Sequence, residues 1–376
     1  MICFNLPHLT GSEEKYLQQA IQNRDLSGGN QFNILCEKWL KSFTNAKKVL
    51  LTASCTQALE YAALICNIRQ GDEIIMPSYT FVSSANAFVL RGASIVFVDI
   101  DPETMNINAN LIESAISQKT KAILIMHYGG MACDMDIIME VARSNNLIVI
   151  EDAAHCIGAY DENKRHLGSI GDIGVISFHS TKNVHCGEGG AVLINNPKYL
   201  EIADYVRDKG TDRIDFLAGK IKSYSWVCIG SNYWLNELSA AFLYAQLLEV
   251  CVINATRRGL WEKYRKGLSE SGFDGKFSIR EAHHNSHIYY IKCQNSNERQ
   301  ALIEYMKSKD IACVSHYEPL HSSTFGRKAG VFNGKDQYTT IESSRLLRLP
   351  LYPDLKEGDQ EHIIHSLLSF RKTLKQ

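Results

Sequence analysis

Seven short apolar, β-branched runs recur through the first half of the chain, at 47–54 (KKVLLTAS), 72–78 (DEIIMPS), 94–100 (SIVFVDI), 122–128 (AILIMHY), 148–153 (IVIEDA), 175–180 (VISFHS) and 191–196 (AVLINN). Most carry apolar residues at consecutive rather than alternating positions, the pattern of strands buried on both faces of a largely parallel sheet. Helical patterns lie between many of them, at 56–66, 109–117 and 134–145. Strand and helix in alternation predict an α/β layered domain. The runs at 175–180 and 191–196 are too close for a crossover helix and are predicted to pair as an antiparallel hairpin. From about 197 the pattern turns helical, over 198–208 and then 236–268. Strand-like pieces at 286–293 and 312–317 flank a helix at 297–308, and an amphipathic stretch closes the chain at 357–374. The pattern divides the chain into a large α/β domain, 1–250, and a smaller α+β domain, 251–376, with the boundary inside the long helix.

Composition agrees with this division. The 376 residues, 45% of them hydrophobic, suffice for two cores. With 40 basic and 41 acidic residues, no net field favours nucleic acid or a membrane surface. The first residues lack the charged and apolar regions of a signal peptide, and no run reaches the length of a membrane span, so a soluble cytoplasmic protein is expected. The eleven cysteines are scattered without C-x-x-C spacing and read as buried thiols in a reducing compartment.

In open α/β sheets ligands collect at the carboxyl ends of the strands, and four features follow the runs there. Ser54-Cys55-Thr56 opens a helix, whose free backbone N–H groups form an anion site or merely an N-cap. Tyr79 and Phe81 follow the second run, as core or as a cover for a flat ring. Glu151 and Asp152 end an apolar strand, where carboxylates are costly to bury unless paired, and His155 follows. Lys182 ends another run, ahead of Gly187, Gly189 and Gly190. Each has an ordinary structural explanation when read singly. Together they supply an anion cradle, an aromatic lid, a carboxylate for a ring nitrogen and an amine for an aldehyde, which is the kit for pyridoxal 5′-phosphate (PLP).

Longer stretches carry a resemblance: GDEIIMPSYTFVSSANAF (71–88), VIEDAAH (149–155), SFHSTKNVHCGEGG (177–190), GSNYWLNELSAA (230–241) and HYEPLH (316–321). With these, nearly the whole chain resembles the DegT/DnrJ/EryC1/StrS sugar-nucleotide aminotransferases. The resemblance implies a PLP-dependent transferase of fold type I, aspartate-aminotransferase-like, with a mostly parallel seven-stranded sheet and a smaller C-terminal α+β domain. It implies that Lys182 is catalytic and anchors the cofactor's aldehyde carbon, that Asp152 holds the pyridinium N–H and that Phe81 stacks on the ring. The backbone at Cys55 and Thr56, with the Ser177 hydroxyl, would bind the phosphate, and His155 would lie near the ring, where the family often has glutamine. Asn232 would reach the phosphate of the neighbouring subunit in a homodimer with shared sites, and Tyr317 and His321 would lie near the sugar nucleotide. The implied substrates are L-glutamate and a dTDP-keto-deoxysugar. The stretches SYTFVSSANAFVLRGA, TMNI and RLLRLPLY further resemble members that aminate C4 of dTDP-4-keto-6-deoxyglucose, with C3 chemistry or an equatorial amine as the alternatives.

Three rivals are weaker. PLP-dependent sugar dehydratases of the same fold replace the lysine by histidine, whereas Lys182 is present here. A non-catalytic regulator would have no need of both Asp152 and Lys182. A metal enzyme using His283-His284-x-x-His287 or His362-x-x-His365 lacks a matching carboxylate or cysteine, and no metal is expected.

Overall fold

The computed structural model describes residues 1–269, 271, 273 and 283–374. All seven apolar runs overlap a strand: β1 Lys48–Thr52, β2 Glu73–Pro77, β3 Ser94–Val98, β4 Thr120–Met126, β5 Ile148–Asp152, β6 Ile173–Ser177 and β7 Gly190–Ile194. They join one sheet in the order β1-β7-β6-β5-β4-β2-β3, and only β7 runs antiparallel to its neighbours, pairing with β6 as a hairpin. The expected count of seven is one short. Of the later strands, β8 (Tyr289–Lys292) and β10 (Leu346–Leu349) form a separate antiparallel pair, while β9 (Gly330–Phe332) lies between them in sequence and adds to β3 as an eighth, parallel strand of the large sheet. Three residues with Val331 exposed leave no period to read.

The consecutive apolar residues separate by parity. Leu50, Ile74, Met76, Phe97, Leu124, Ile150 and Val175 face the helices Cys55–Ile65, Val82–Val89 and Leu200–Arg207. On the opposite face, Leu51, Ile176 and Leu193 pack against Gln31–Thr44 and Glu237–Leu248. Ile75, Val98, Ile125 and Val149 pack there against Met135–Ser144. A separate core around Trp261, Tyr264, Leu347, Leu349 and Phe370 surrounds β8 and β10.

Other expectations need correction. The stretch 236–268 is two helices, Glu237–Leu248 and Val250–Leu268, bent by 61°. Residues 109–117 form only two short 3-10 turns, Ala109–Leu111 and Glu113–Ala115, because Ile112 and Ala115 anchor to the core before the chain enters β4. Residues 312–317 make a single bridge, Val314 with Arg348, instead of a strand. Among the described residues no single helix is long and apolar enough to cross a membrane.

Candidate active site

The carboxyl ends of the parallel strands open into a cavity of about 650 Å³, within the size range of cofactor pockets. It is closed on the other side by segments of the C-terminal region and by Phe4 and Asn5. Eight of the ten residues singled out in the sequence line it: Cys55, Thr56, Phe81, Asp152, His155, Ser177, Lys182 and Tyr317.

Alternation along β5 sends its two terminal carboxylates opposite ways. Glu151 turns into the protein, where it meets His127 Nε2 at 2.9 Å and accepts from the N–H groups of Gly168, Ile170 and Gly171. Burial opposes its charge, but these partners prevail and hold its pKa below the usual carboxylate value. Asp152 turns to the cavity. The Ser84 hydroxyl donates to its Oδ2 at 2.7 Å and the Ala154 N–H to its Oδ1 at 3.1 Å, which fixes the plane of the carboxylate. Burial raises its pKa, against the pull of Ser84, Ala154 and Lys182, so it is primed to welcome a cation.

Lys182 follows β6 on a turn closed by its N–H donating to His179 O at 2.9 Å. Desolvation and Arg348 lower its pKa, and Cys55 and Asp152 oppose them. The helix Cys55–Ile65 begins at the same cavity. The Ser54 hydroxyl caps it by accepting from the Gln57 N–H at 3.1 Å. The N–H groups of Cys55 and Thr56 find no acceptor among the described residues and remain free for an anion. A Cβ on Gly190 would stand 2.6 Å from Cys55 N, so only glycine lets β7 pass beneath this turn.

His155 is neutral. Burial, aided by Lys182 and His287, puts its pKa well below the ordinary histidine value. The Gly129 N–H donates to its Nδ1 at 3.1 Å, which places the ring proton on Nε2, 3.3 Å from the Tyr317 hydroxyl. Phe81 is 52% exposed and stands 6.0 Å from the Tyr317 ring, as an uncovered aromatic face on the cavity wall.

Two expected residues lie elsewhere. His321 does not line the cavity. Its Nδ1 meets Ser78 Oγ at 2.7 Å, its Nε2 meets Asp336 Oδ2 at 3.2 Å, and its ring packs on Phe332, so its polar atoms are already engaged. Asn232 is exposed, bridges to Asp208 and is outside the cavity of its own protomer. Sequence reasoning missed Ser84, Arg257, His316 and Arg348, which all line the cavity. His287 stood out only for metal-like spacing. It faces the cavity with its ring 4.2 Å from His155, and its Nδ1 donates to Asn183 Oδ1 at 2.8 Å.

The sequence pattern of the DegT/DnrJ/EryC1/StrS aminotransferase family matches residues 7–368. The chain belongs to this family. It is a PLP-dependent aminotransferase. An uncharacterized protein of Methanocaldococcus jannaschii, MJ1066, is 32% identical over 344 residues, 88% of each chain. A family aminotransferase from Brucella abortus is 27% identical with a TM-score of 0.86, covering 96% of this chain and 95% of that one. The aminotransferase TlmJ of Streptoalloteichus hindustanus shares the fold at a TM-score of 0.91 over the whole of both chains, with 24% identity.

The cavity of this aminotransferase fits the cofactor. It offers an amine with a lowered pKa, a buried carboxylate seeking a cation, two unpartnered N–H groups beside a hydroxyl, and an exposed aromatic face.

Proposed function

We propose that the enzyme transfers an amino group from L-glutamate to C4 of dTDP-4-keto-6-deoxyglucose, giving dTDP-4-amino-4,6-dideoxygalactose. The observation that carries the chemistry is the convergence of Lys182, Asp152 and neutral His155 on one cavity. Support for the sugar comes from the stretches 78–93 and 345–352, which contribute Phe81, Ser83, Ser84, Arg348, Leu349 and Leu351 to that cavity. When bound, PLP supplies an electron sink for the carbon that loses its proton.

Each residue has a role with a physical basis. Asp152, held rigid by Ser84 and Ala154, keeps a ring nitrogen protonated by offering a desolvated negative charge. The N–H groups of Cys55 and Thr56 and the hydroxyl of Ser177 take the phosphate. Phe81 covers the ring, and His155 donates from Nε2 to an oxygen on the cavity side. The Nζ of Lys182, with its lowered proton affinity, takes the proton from the donor's α-carbon and later delivers one to the sugar carbon. Tyr317 borders the sugar. Asn232 of the partner subunit completes the phosphate site in a homodimer. The described residues from 251 onward, apart from β9 in the large sheet, form the smaller domain, and the enzyme works in the cytoplasm.

The test is incubation with L-glutamate and dTDP-4-keto-6-deoxyglucose followed by NMR of the aminated sugar. An axial amine at C4 is expected. An amine at C3, or an equatorial one at C4, overturns the choice of product.

A further inference from the structure

Two guanidinium groups line the cavity, and neither has a carboxylate within salt-bridge distance among the described residues. Arg257 is 3% exposed. Its Nε and Nη2 donate to the backbone carbonyls of Ser286 and His287 at 3.1 and 2.5 Å, and burial lowers its pKa to about 9. Arg348, on β10, donates from Nε and Nη2 to the Ser315 carbonyl at 3.3 and 3.1 Å. Its guanidinium carbon lies over Phe4, 4.8 Å from the ring centroid. Its Nη1 has no hydrogen-bond acceptor among the described residues.

The acids of the cavity are already committed. Asp152 is held by Ser84 and Ala154, and Glu188 sits 3.5 Å from His179. Lys182, Arg257 and Arg348 therefore leave the cavity with an excess of positive charge. Arg257 is fully buried and Lys182 and Arg348 are half-buried, and cations partly withdrawn from water without counter-charge favour an anion beside them. The anion cradle at Cys55, Thr56 and Ser177 uses neither arginine. Arg348 lines the same cavity as Lys182, His155 and His316, and its charge lowers the proton affinity of all three.

We propose that Arg348 binds the carboxylate of the amino-acid donor, with Arg257 behind it keeping the local potential positive. A guanidinium fork suits a planar carboxylate, and the contacts with Phe4 and the Ser315 carbonyl anchor the side chain beside the cavity. Arg257 has two of its nitrogens spent on carbonyls and acts through its charge. The proposal rests on the transamination reading above, because it assigns the donor half of that reaction.

The test uses the PLP-loaded enzyme and its Arg348→Met and Arg348→Lys variants. Glutarate has two carboxylates and no amine, so it cannot react, and its affinity is measured by calorimetry. L-Glutamate is titrated by the bleaching of the bound cofactor in a single turnover. The amine-loaded form is titrated with dTDP-4-keto-6-deoxyglucose. Arg348→Met is expected to raise the half-saturating L-glutamate and to weaken glutarate by about thirtyfold, the scale of a lost charge-assisted bidentate contact. The keto-sugar half should move by less than about threefold, since its sugar has no carboxylate at the reacting end. Arg348→Lys keeps the charge without the fork and should lie between, at about five- to tenfold. If the methionine variant does not fold, the lysine variant decides, and an unchanged glutarate affinity there overturns the proposal. So does a loss confined to the keto-sugar half, which would make Arg348 a diphosphate anchor. A wild-type enzyme that binds glutarate through Arg348 but does not bleach with L-glutamate would overturn the choice of donor and leave the carboxylate site standing.

Discussion

In the proposed reaction Lys182 and Asp152 divide the chemistry, and the cavity moves their proton affinities toward each other, the amine down and the carboxylate up. Such opposed shifts mark groups prepared for proton transfer and charge stabilisation. Lys182→Ala should abolish the yellow colour of the covalently held cofactor and cut turnover by about 10⁴-fold or more. It should leave the far-UV dichroism unchanged, since no hydrogen bond or ion pair of Lys182 Nζ stabilises the described residues. A variant that transaminates at near the wild-type rate would sink the assignment. Asp152→Ala should slow the bleaching by L-glutamate by a comparable factor while the colour persists, because it removes the charge that keeps the ring nitrogen protonated. Bleaching as fast as wild type would show that Asp152 plays no such part. His155 is tuned differently. With its Nδ1 occupied by the Gly129 N–H, it has one proton to offer and one direction in which to offer it.

At the scale of elements, β5 shows how one strand serves both stability and function. A half-turn of pleat separates Glu151, which staples the loop 168–171 to His127, from Asp152, which faces the cavity. Glu151→Ala should cost about 3–5 kcal/mol, the scale for stripping a charged acceptor from several buried donors, since His127 Nε2 and three N–H groups lose their acceptor. The sign of the pH dependence follows from its lowered pKa. The group's folded pKa lies below its unfolded value, so its contribution is complete above the ordinary carboxylate range and disappears as pH falls through the folded value. Urea unfolding of wild type should therefore lose stability more steeply than Glu151→Gln as pH falls from about 5 through the ordinary carboxylate range and below it, and parallel curves there would remove Glu151 from the account. Much of this level was legible. Consecutive apolar residues announce strands covered on both faces, and the polar residues that end them must lie at one rim of a parallel sheet. Other parts were illegible for equally physical reasons. Apolar periodicity runs unbroken through Glu249, so the 61° bend between its flanking helices leaves no trace in the pattern. Arg257, His287 and Arg348 reach the cavity from segments far along the chain, and neither local period nor spacing records a tertiary approach. His321 misled because its motif neighbour Tyr317 enters the cavity while its own ring turns back to Ser78 and Asp336.

For the whole molecule, the proposed homodimer would supply a residue that the cavity of a single protomer lacks. The cavity is lined without Asn232, and the segment preceding that residue displays a band of uncovered apolar side chains: Leu217 at 66% exposure, Trp226 at 78% and Ile229 at 62%, with Phe216 and Tyr224 alongside. Exposed apolar side chains concentrated in one segment favour a protein partner, and a second copy would cover two such bands at once in an isologous contact. If this face is the interface, the site and the assembly are one equilibrium, because the neighbour's Asn232 arrives only with the dimer. The double variant Trp226→Asp, Ile229→Asp should sediment as a monomer at concentrations where wild type sediments as a dimer. Its PLP affinity should fall about tenfold or more, the value of one charge-assisted hydrogen bond to the phosphate. Asn232→Ala should remain dimeric and show a PLP loss of similar size, which separates the missing contact from general damage to the fold. A double variant that stays dimeric would move the interface elsewhere. A monomer that binds PLP as tightly as wild type would show that each protomer completes its phosphate site alone.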